Sequence, residues 1–224
     1  DVSIRPGWFW HKRENGMVRS VKNLTYIYYT SVGGNSLLLL NVPPNKNGRL
    51  EERDKKSLLG LGETVRAHFA KPIKCTYTAE NSDPAFPAAN LAADKDGYFR
   101  AAEIAQSYEI EARFASPALV DKVLLRENCD FSQRVESFDV IAVTDKGEKK
   151  VCSGTTIGFK RIAVFKPIEA SALRLVITSC RLEPYLEIFQ PYGCNGKVPA
   201  QPLTDKVAAF IRGVGQKMYY KRLE

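Results

Sequence analysis

Residues 108–114 read YEIEARF, and the apolar residues Tyr108, Ile110, Ala112 and Phe114 alternate without a break with Glu109, Glu111 and Arg113. A period of two places all four apolar side chains on one face of an extended chain, so the stretch predicts a half-buried β-strand. Downstream, VESFDVIAV (135–143), RIAVF (161–165), ALRLVITS (172–179) and YLEIF (185–189) are further short β-rich runs. Turn signals stand between them: Ser116-Pro117, DKGEK (145–149), Ser153-Gly154 and Lys166-Pro167. Strands at this spacing with no helical segment predict an antiparallel β-sandwich or jelly roll over residues 71–194.

Upstream of Ala70 to Lys74 the texture differs. In SVKNLTYIYYTSV (20–32), Val21, Leu24, Tyr28 and Val32 fall at helical spacing, with Ser20 able to cap the start and Gly33-Gly34 the stop. SLLLLNVPP (36–44) follows, and its four leucines predict a short strand buried on both faces. NKNGRLEERDKKSLLGLGETVRAHF (45–69) then repeats Leu58, Leu61, Val65 and Phe69 at helical spacing, behind Glu51, Glu52 and Asp54, which suit the positive end of a helix dipole. Helix, buried strand, helix is α/β organisation, so the fold class is α/β followed by all-β. A doubly buried parallel strand needs neighbours along both edges. Residues 1–70 are few against the roughly 250 of a complete (β/α)₈ barrel. The expectation is therefore that the rest of a barrel comes from another polypeptide or from a longer version of this one.

The net charge of +8 is not a nucleic-acid stripe. Residues 1–70 carry 11 basic and 6 acidic side chains, 71–194 carry 16 and 17, and 195–224 carry 6 and 2, so the excess sits at the two ends. No apolar run reaches the roughly 18 residues of a transmembrane helix. Cys75, Cys129, Cys152, Cys180 and Cys194 are widely spaced and odd in number, which fits neither a disulfide framework nor a metal site. Residues 195–224 predict a basic helical tail with Thr204 as cap and Val207, Ile211, Val214 and Met218 on one face. Docking on the body and contact with a membrane surface or a partner both remain open for it.

Chemistry-bearing residues concentrate at the start. RPGWFWH (5–11) holds both tryptophans and one of the two histidines around a Pro-Gly turn. An indole presents an apolar face and a polar edge, so such a cluster on a turn is a candidate for contact with a ligand. The candidate functional residues of the run are Trp8, Arg5 and His11. Phe9 and Trp10 could pack the turn, and Arg5 could pair with a structural carboxylate. Asn41, at the end of the leucine strand, is either a fourth contact or a turn cap. Glu14 is the one weak candidate for a catalytic carboxylate. Asn23-Leu24-Thr25 is formally a glycosylation sequon, but it falls inside a predicted helix.

DVSIRPGWFWH (1–11), YYTSVGGNSLLLLNVPPNKNG (28–48) and the acidic-started helix behind them resemble the end of the catalytic barrel in the α-L-fucosidase family of glycoside hydrolases, family 29. The likeness is strongest to the branch of plant and bacterial enzymes that cleave α-1,3/1,4-linked fucose. LLRENCDFSQRVESFDV (124–140), SGTTIGFKRI (153–162) and ALRLVI (172–177) resemble the discoidin-like, galactose-binding-like β-sandwich that follows that barrel. The likeness departs at KDGYFRA (95–101), where Tyr98-Phe99 stands in place of a tyrosine-tryptophan pair.

The resemblance implies a retaining exo-hydrolase without cofactor, acting on a fucosylated oligosaccharide or glycoconjugate and located outside the cytosol, whether secreted, periplasmic or lysosome-like. Retention needs an aspartate nucleophile and a glutamate acid/base about 5 to 5.5 Å apart. By the resemblance the nucleophile belongs to an earlier barrel strand and the glutamate stands just before Asp1, so the chain by itself is expected to be inactive. The resemblance also implies that the loop borders the sugar pocket, with Trp8 as a platform and Arg5 and His11 as donors to hydroxyls or as supports for the acid/base. The alternative is a non-catalytic carbohydrate-binding or interaction module.

Overall fold

The computed structural model describes residues 1–199. Its elements are β1 (Val2–Ser3), α1 (Val21–Ser31), β2 (Leu40–Asn41), α2 (Glu52–His68), β3 (Cys75–Ala79), β4 (Phe99–Arg100), β5 (Tyr108–Glu127), β6 (Val135–Thr144), β7 (Gly147–Gly154), β8 (Arg161–Cys180) and β9 (Tyr185–Gly193). The helix expected from Thr204 to Met218 lies outside the described residues. Two compact units emerge, one built on residues 1–27 and 40–63 and the other on residues 28–39 and 64–197. Each is described by itself.

In the first unit β1 and β2 pair in parallel, Val2 opposite Leu40 and Ser3 opposite Asn41. The pairing continues where the Ile4 N–H donates to Asn41 O at 2.9 Å. Helix α1 starts as its sequence predicts, because Ser20 Oγ accepts the Asn23 N–H at 3.2 Å. Helix α2 comes close beneath it. A Cβ on Gly60 would lie 2.6 Å from Val21 Cγ2, so only glycine lets the two helices approach this far.

The leucine run differs from expectation. Only Leu40 and Asn41 are paired, Leu37 is 91% exposed and Leu39 63% exposed, and β1 is the only strand beside them among the described residues. A strand is dry on both faces only where a layer covers each face, and these leucines are half-covered in alternation.

In the second unit the predicted strands form, but two expected turns do not. Ser116-Pro117 and Lys166-Pro167 lie inside β5 and β8, each 20 residues long. The two strands pair antiparallel as Tyr108–Arg113 against residues 172–177 and again as Ala118–Leu125 against residues 161–170, with the register slipping between. Proline has no N–H for the ladder yet keeps the chain extended, so it marks a bend in a strand as readily as an end.

That bend makes the sandwich. The first stretch carries β3 on β5, and β6 then β7 on β8, while the second carries β9 on β5 and β4 on β9. The halves face each other: the Tyr77 ring of β3 lies 6.1 Å from the Phe189 ring of β9, though these strands are not paired. Phe99, Ile110, Leu125, Phe138, Leu175 and Phe189 share one core between the layers. Each contributes about 1.5–3 kcal/mol on burial.

Residues 28–39 pack with this unit. Ile162 N–H donates to Gly33 O at 2.8 Å, and Phe159 N–H donates to Asn35 Oδ1 at 2.8 Å. All five cysteines are unpaired.

Candidate active-site loop

The aromatic run leaves the C-terminal end of β1 and is tied down at both sides. Arg5 is 1% exposed, and its Nε donates to Asp54 Oδ2 in α2 at 3.0 Å. Its Nη1 donates to Asn15 Oδ1 at 2.9 Å. Arg5 is thus a buried brace rather than a solvent-facing donor, and the partners that make it so are Asn15 and Asp54, which sequence reasoning did not assign to the loop. By sequence alone Asp54 suits the positive end of the α2 dipole. Its position carried a further signal, since Asp54, Leu58, Leu61 and Val65 fall at i, i+4, i+7 and i+11 on one stripe of α2.

Asn41 ties the other side. Its Nδ2 donates to Trp8 O at 2.8 Å and to Ser3 Oγ at 3.1 Å, while Ser3 Oγ donates to Gly7 O at 2.8 Å. The end of β2 thereby fixes the turn that follows β1. Asn41 acts here as a backbone tie, which is the turn-capping role its sequence position allowed.

The rings themselves are presented outward. Trp8 is 50% exposed and Phe9 79% exposed, so Phe9 does not pack the turn. Trp10 is half-buried with its Nε1 enclosed and without a partner. His11 is exposed, and its carbonyl accepts the Glu14 N–H at 2.9 Å to close a 3₁₀ turn over Lys12–Glu14. Glu14 is 8% exposed, and its carboxylate sits 3.4 Å from where a Cβ on Gly7 would stand. One of its oxygens, Oε2, has no hydrogen-bond partner, and the same holds for Arg5 Nη2 and Asp54 Oδ1. The structure therefore brings Arg5, Trp8, His11, Glu14 and Asn41 into one loop system, with an aromatic shelf above a polar network only partly satisfied.

Asn23 of the formal sequon is 6% exposed, and its Oδ1 accepts from Arg19 Nη1 at 2.9 Å. In this fold it is an interior helix residue.

No protein-family model matches the chain. Alpha-L-fucosidase 1 of Arabidopsis thaliana is 33% identical over 202 residues, covering 86% of this chain and 40% of that protein. A solved structure named SpGH29 is 29% identical with a TM-score of 0.81, over 88% of this chain and 44% of the other. A Ruminococcus gnavus GH29 fucosidase in complex with fucose, 24% identical over 89% of this chain and 42% of that one, shares the fold at a TM-score of 0.81. The chain spans about two fifths of the length of the curated relatives it matches. Sequence and fold together support the α-L-fucosidase family, glycoside hydrolase family 29, for the portion of its relatives that this chain covers.

Proposed function

We propose that this chain is the C-terminal part of a retaining α-L-fucosidase: the last elements of a (β/α)₈ barrel in residues 1–70 and a discoidin-like β-sandwich in residues 71–194. The observation that carries the reading is the tie between Asn41 and the Trp8 carbonyl, 2.8 Å long, which joins the C-terminal ends of two parallel strands. Barrel enzymes gather their active sites at those ends. The exposed Leu37 and Leu39, just before β2, fit the same reading, as apolar side chains that a further layer would cover.

In this proposal the nucleophile and acid/base belong to the remaining barrel and this chain supplies the rim. Trp8 offers its indole face to the C–H face and methyl group of a deoxy sugar, and His11 is free to meet hydroxyls. Arg5 works one step removed, by holding the turn on which both stand. The substrate is a fucosylated oligosaccharide or glycoconjugate, met outside the cytosol.

The test is hydrolysis of an aryl α-L-fucoside. The 224-residue chain alone should give no turnover, and supplying the missing barrel in the same polypeptide should restore it. In the restored enzyme Trp8→Ala should raise KM by about tenfold, the loss of about 1.4 kcal/mol of binding, with the thermal midpoint unchanged. Robust turnover by the isolated chain would overturn the placement of the catalytic pair.

A further inference from the structure

Strand β3 has one open edge. The Ala115 N–H donates to Lys74 O at 3.1 Å, so Lys74, Thr76 and Thr78 turn their backbone groups to β5, and Cys75 and Tyr77 turn theirs away from it. Ile73, next in the outward phase, is satisfied: its N–H donates to Pro191 O at 3.0 Å and its carbonyl accepts Gln190 Nε2 at 2.8 Å. Beyond Ile73, β9 no longer covers the edge. Among the described residues nothing pairs with the outward N–H and C=O of Cys75 and Tyr77.

A pocket of about 650 Å³ lies along that edge, lined by residues 72–77, by Ala93, Asp94 and Lys95 of the loop opposite, and by Gln190 and Tyr192. Its walls are apolar where Tyr77 and the loop alanines stand. The polar groups converge at the strand edge and the rim. Gln190 is 5% exposed and spends both donors on Ile73 O and Pro191 O, which leaves its Oε1 as a fixed acceptor. Lys74, Lys95 and Asp94 stand at the rim. The Tyr77 hydroxyl is buried beside the Cys75 thiol without an aligned hydrogen bond.

This is the chemistry of a polyhydroxylated ligand. Each sugar hydroxyl both donates and accepts, and an outward strand residue offers a donor and an acceptor side by side, as does the rim pair of a carboxylate and an ammonium. The mostly apolar wall suits the C–H face of a pyranose, and the volume falls within the range of small-molecule sites. A peptide adding as a strand finds a poorer fit, because β9 already holds the edge at Ile73. We propose that the pocket is a secondary subsite for a neutral hexose unit of a glycan, separate from the Trp8 loop. The choice of sugar as ligand rests on the glycosidase reading above.

The experiment is an amide NMR titration of the 224-residue chain with methyl β-galactoside, N-acetylglucosamine and fucose. At least one sugar should shift the Cys75 and Tyr77 amides saturably, with a dissociation constant of roughly millimolar order. Ala93→Trp, a filled pocket at an exposed position, should weaken this by tenfold or more, and Asp94→Ala should weaken it several-fold. Absence of saturation with all three sugars overturns the proposal, as does saturation that survives Ala93→Trp. An extended peptide that shifts these amides where the sugars do not overturns it in favour of strand addition. Binding lost with turnover intact in the restored enzyme counts against the pocket alone, and the reverse counts against the fucosidase reading alone.

Discussion

Arg5 Nε and Asp54 Oδ2 lie 3.0 Å apart with both side chains wholly enclosed, although the two residues stand 49 positions apart in the chain. The contact is single, since Arg5 Nη2 and Asp54 Oδ1 find no partner. Removing one member of such a pair strands the other charge out of water, a loss of about 3–5 kcal/mol, whereas replacing both with apolar residues is often neutral. Asp54→Ala should therefore lower stability by that amount, and Arg5→Met combined with Asp54→Leu should recover most of it. Urea unfolding followed by tryptophan fluorescence reads the right region, because both tryptophans stand in the loop that Arg5 braces. An unchanged midpoint in Asp54→Ala would show that the pair holds nothing.

Asn41 is a finer probe of the same loop. Its two donated bonds, to Trp8 O and Ser3 Oγ, each contribute about 0.5–1.5 kcal/mol. Asn41→Ala should speed amide exchange over residues 7–10 by about tenfold, a loss of roughly 1.4 kcal/mol of local protection, and leave the β-sandwich amides untouched. Asn41→Asp should do no better. A carboxylate has no N–H to give and faces the Trp8 carbonyl as a second acceptor.

Local pattern carried the strand reading and also marked its limits. The alternation of YEIEARF placed the start of β5 on its inward face, but past the register slips the phase reverses and Val123, Leu125 and Glu127 turn inward, which no local alternation announces. Two prolines looked like strand ends because a missing N–H signals an interrupted ladder, but not whether the chain turns back or bends into a second layer. SLLLLNVPP could not state its own exposure, since hydrophobicity says what a strand wants to be covered by and not whether the cover is present. At the loop, the aromatic side chains were legible as a cluster. Their braces were not, because Arg5 and Asp54 meet only once α2 has folded back, although an aspartate in register with an apolar stripe was a sign that it was buried.

His68 should give the second unit a pH dependence. It is 4% exposed, and its Nδ1 lies 2.9 Å from the Tyr29 hydroxyl. Burial lowers its pKa from 6.5, the Lys122 ammonium lowers it further, and Asp121 opposes them. A lowered native value means that the unfolded chain takes up the proton first. The stabilising contribution is thus complete above pH 6.5 and is lost as pH falls through the lower native value. Asp83, held low chiefly by its hydrogen bond from Arg100, and Glu136, held low chiefly by Arg181, lose their contributions in more acidic solution. Thermal midpoints of the wild type should fall between pH 6.5 and the onset of that carboxylate titration, and His68→Gln should flatten the slope there. An identical slope in the variant would assign the effect to other groups.

Glu127 offers the sharpest test of the sandwich. It is 1% exposed at the end of β5, and its carboxylate accepts three backbone N–H groups: Oε1 from Arg134 at 2.7 Å and Val135 at 2.8 Å, and Oε2 from Gly158 at 2.6 Å. One side chain thus satisfies the start of β6 and the loop before β8. Hydrogen bonds to an ionised acceptor contribute about 1.5–3 kcal/mol each, and an orphaned buried N–H is costly in its own right. Glu127→Ala should therefore destabilise the unit by at least about 4 kcal/mol. Glu127→Gln is the more informative change, because it keeps shape and two acceptances but turns an N–H toward the Gly158 N–H. It should cost about half as much, with hydrogen exchange accelerated first at Gly158 and only later at Arg134 and Val135. Equal loss at all three amides in Glu127→Gln would mean that negative charge, rather than the placement of two acceptor oxygens, holds the loops together.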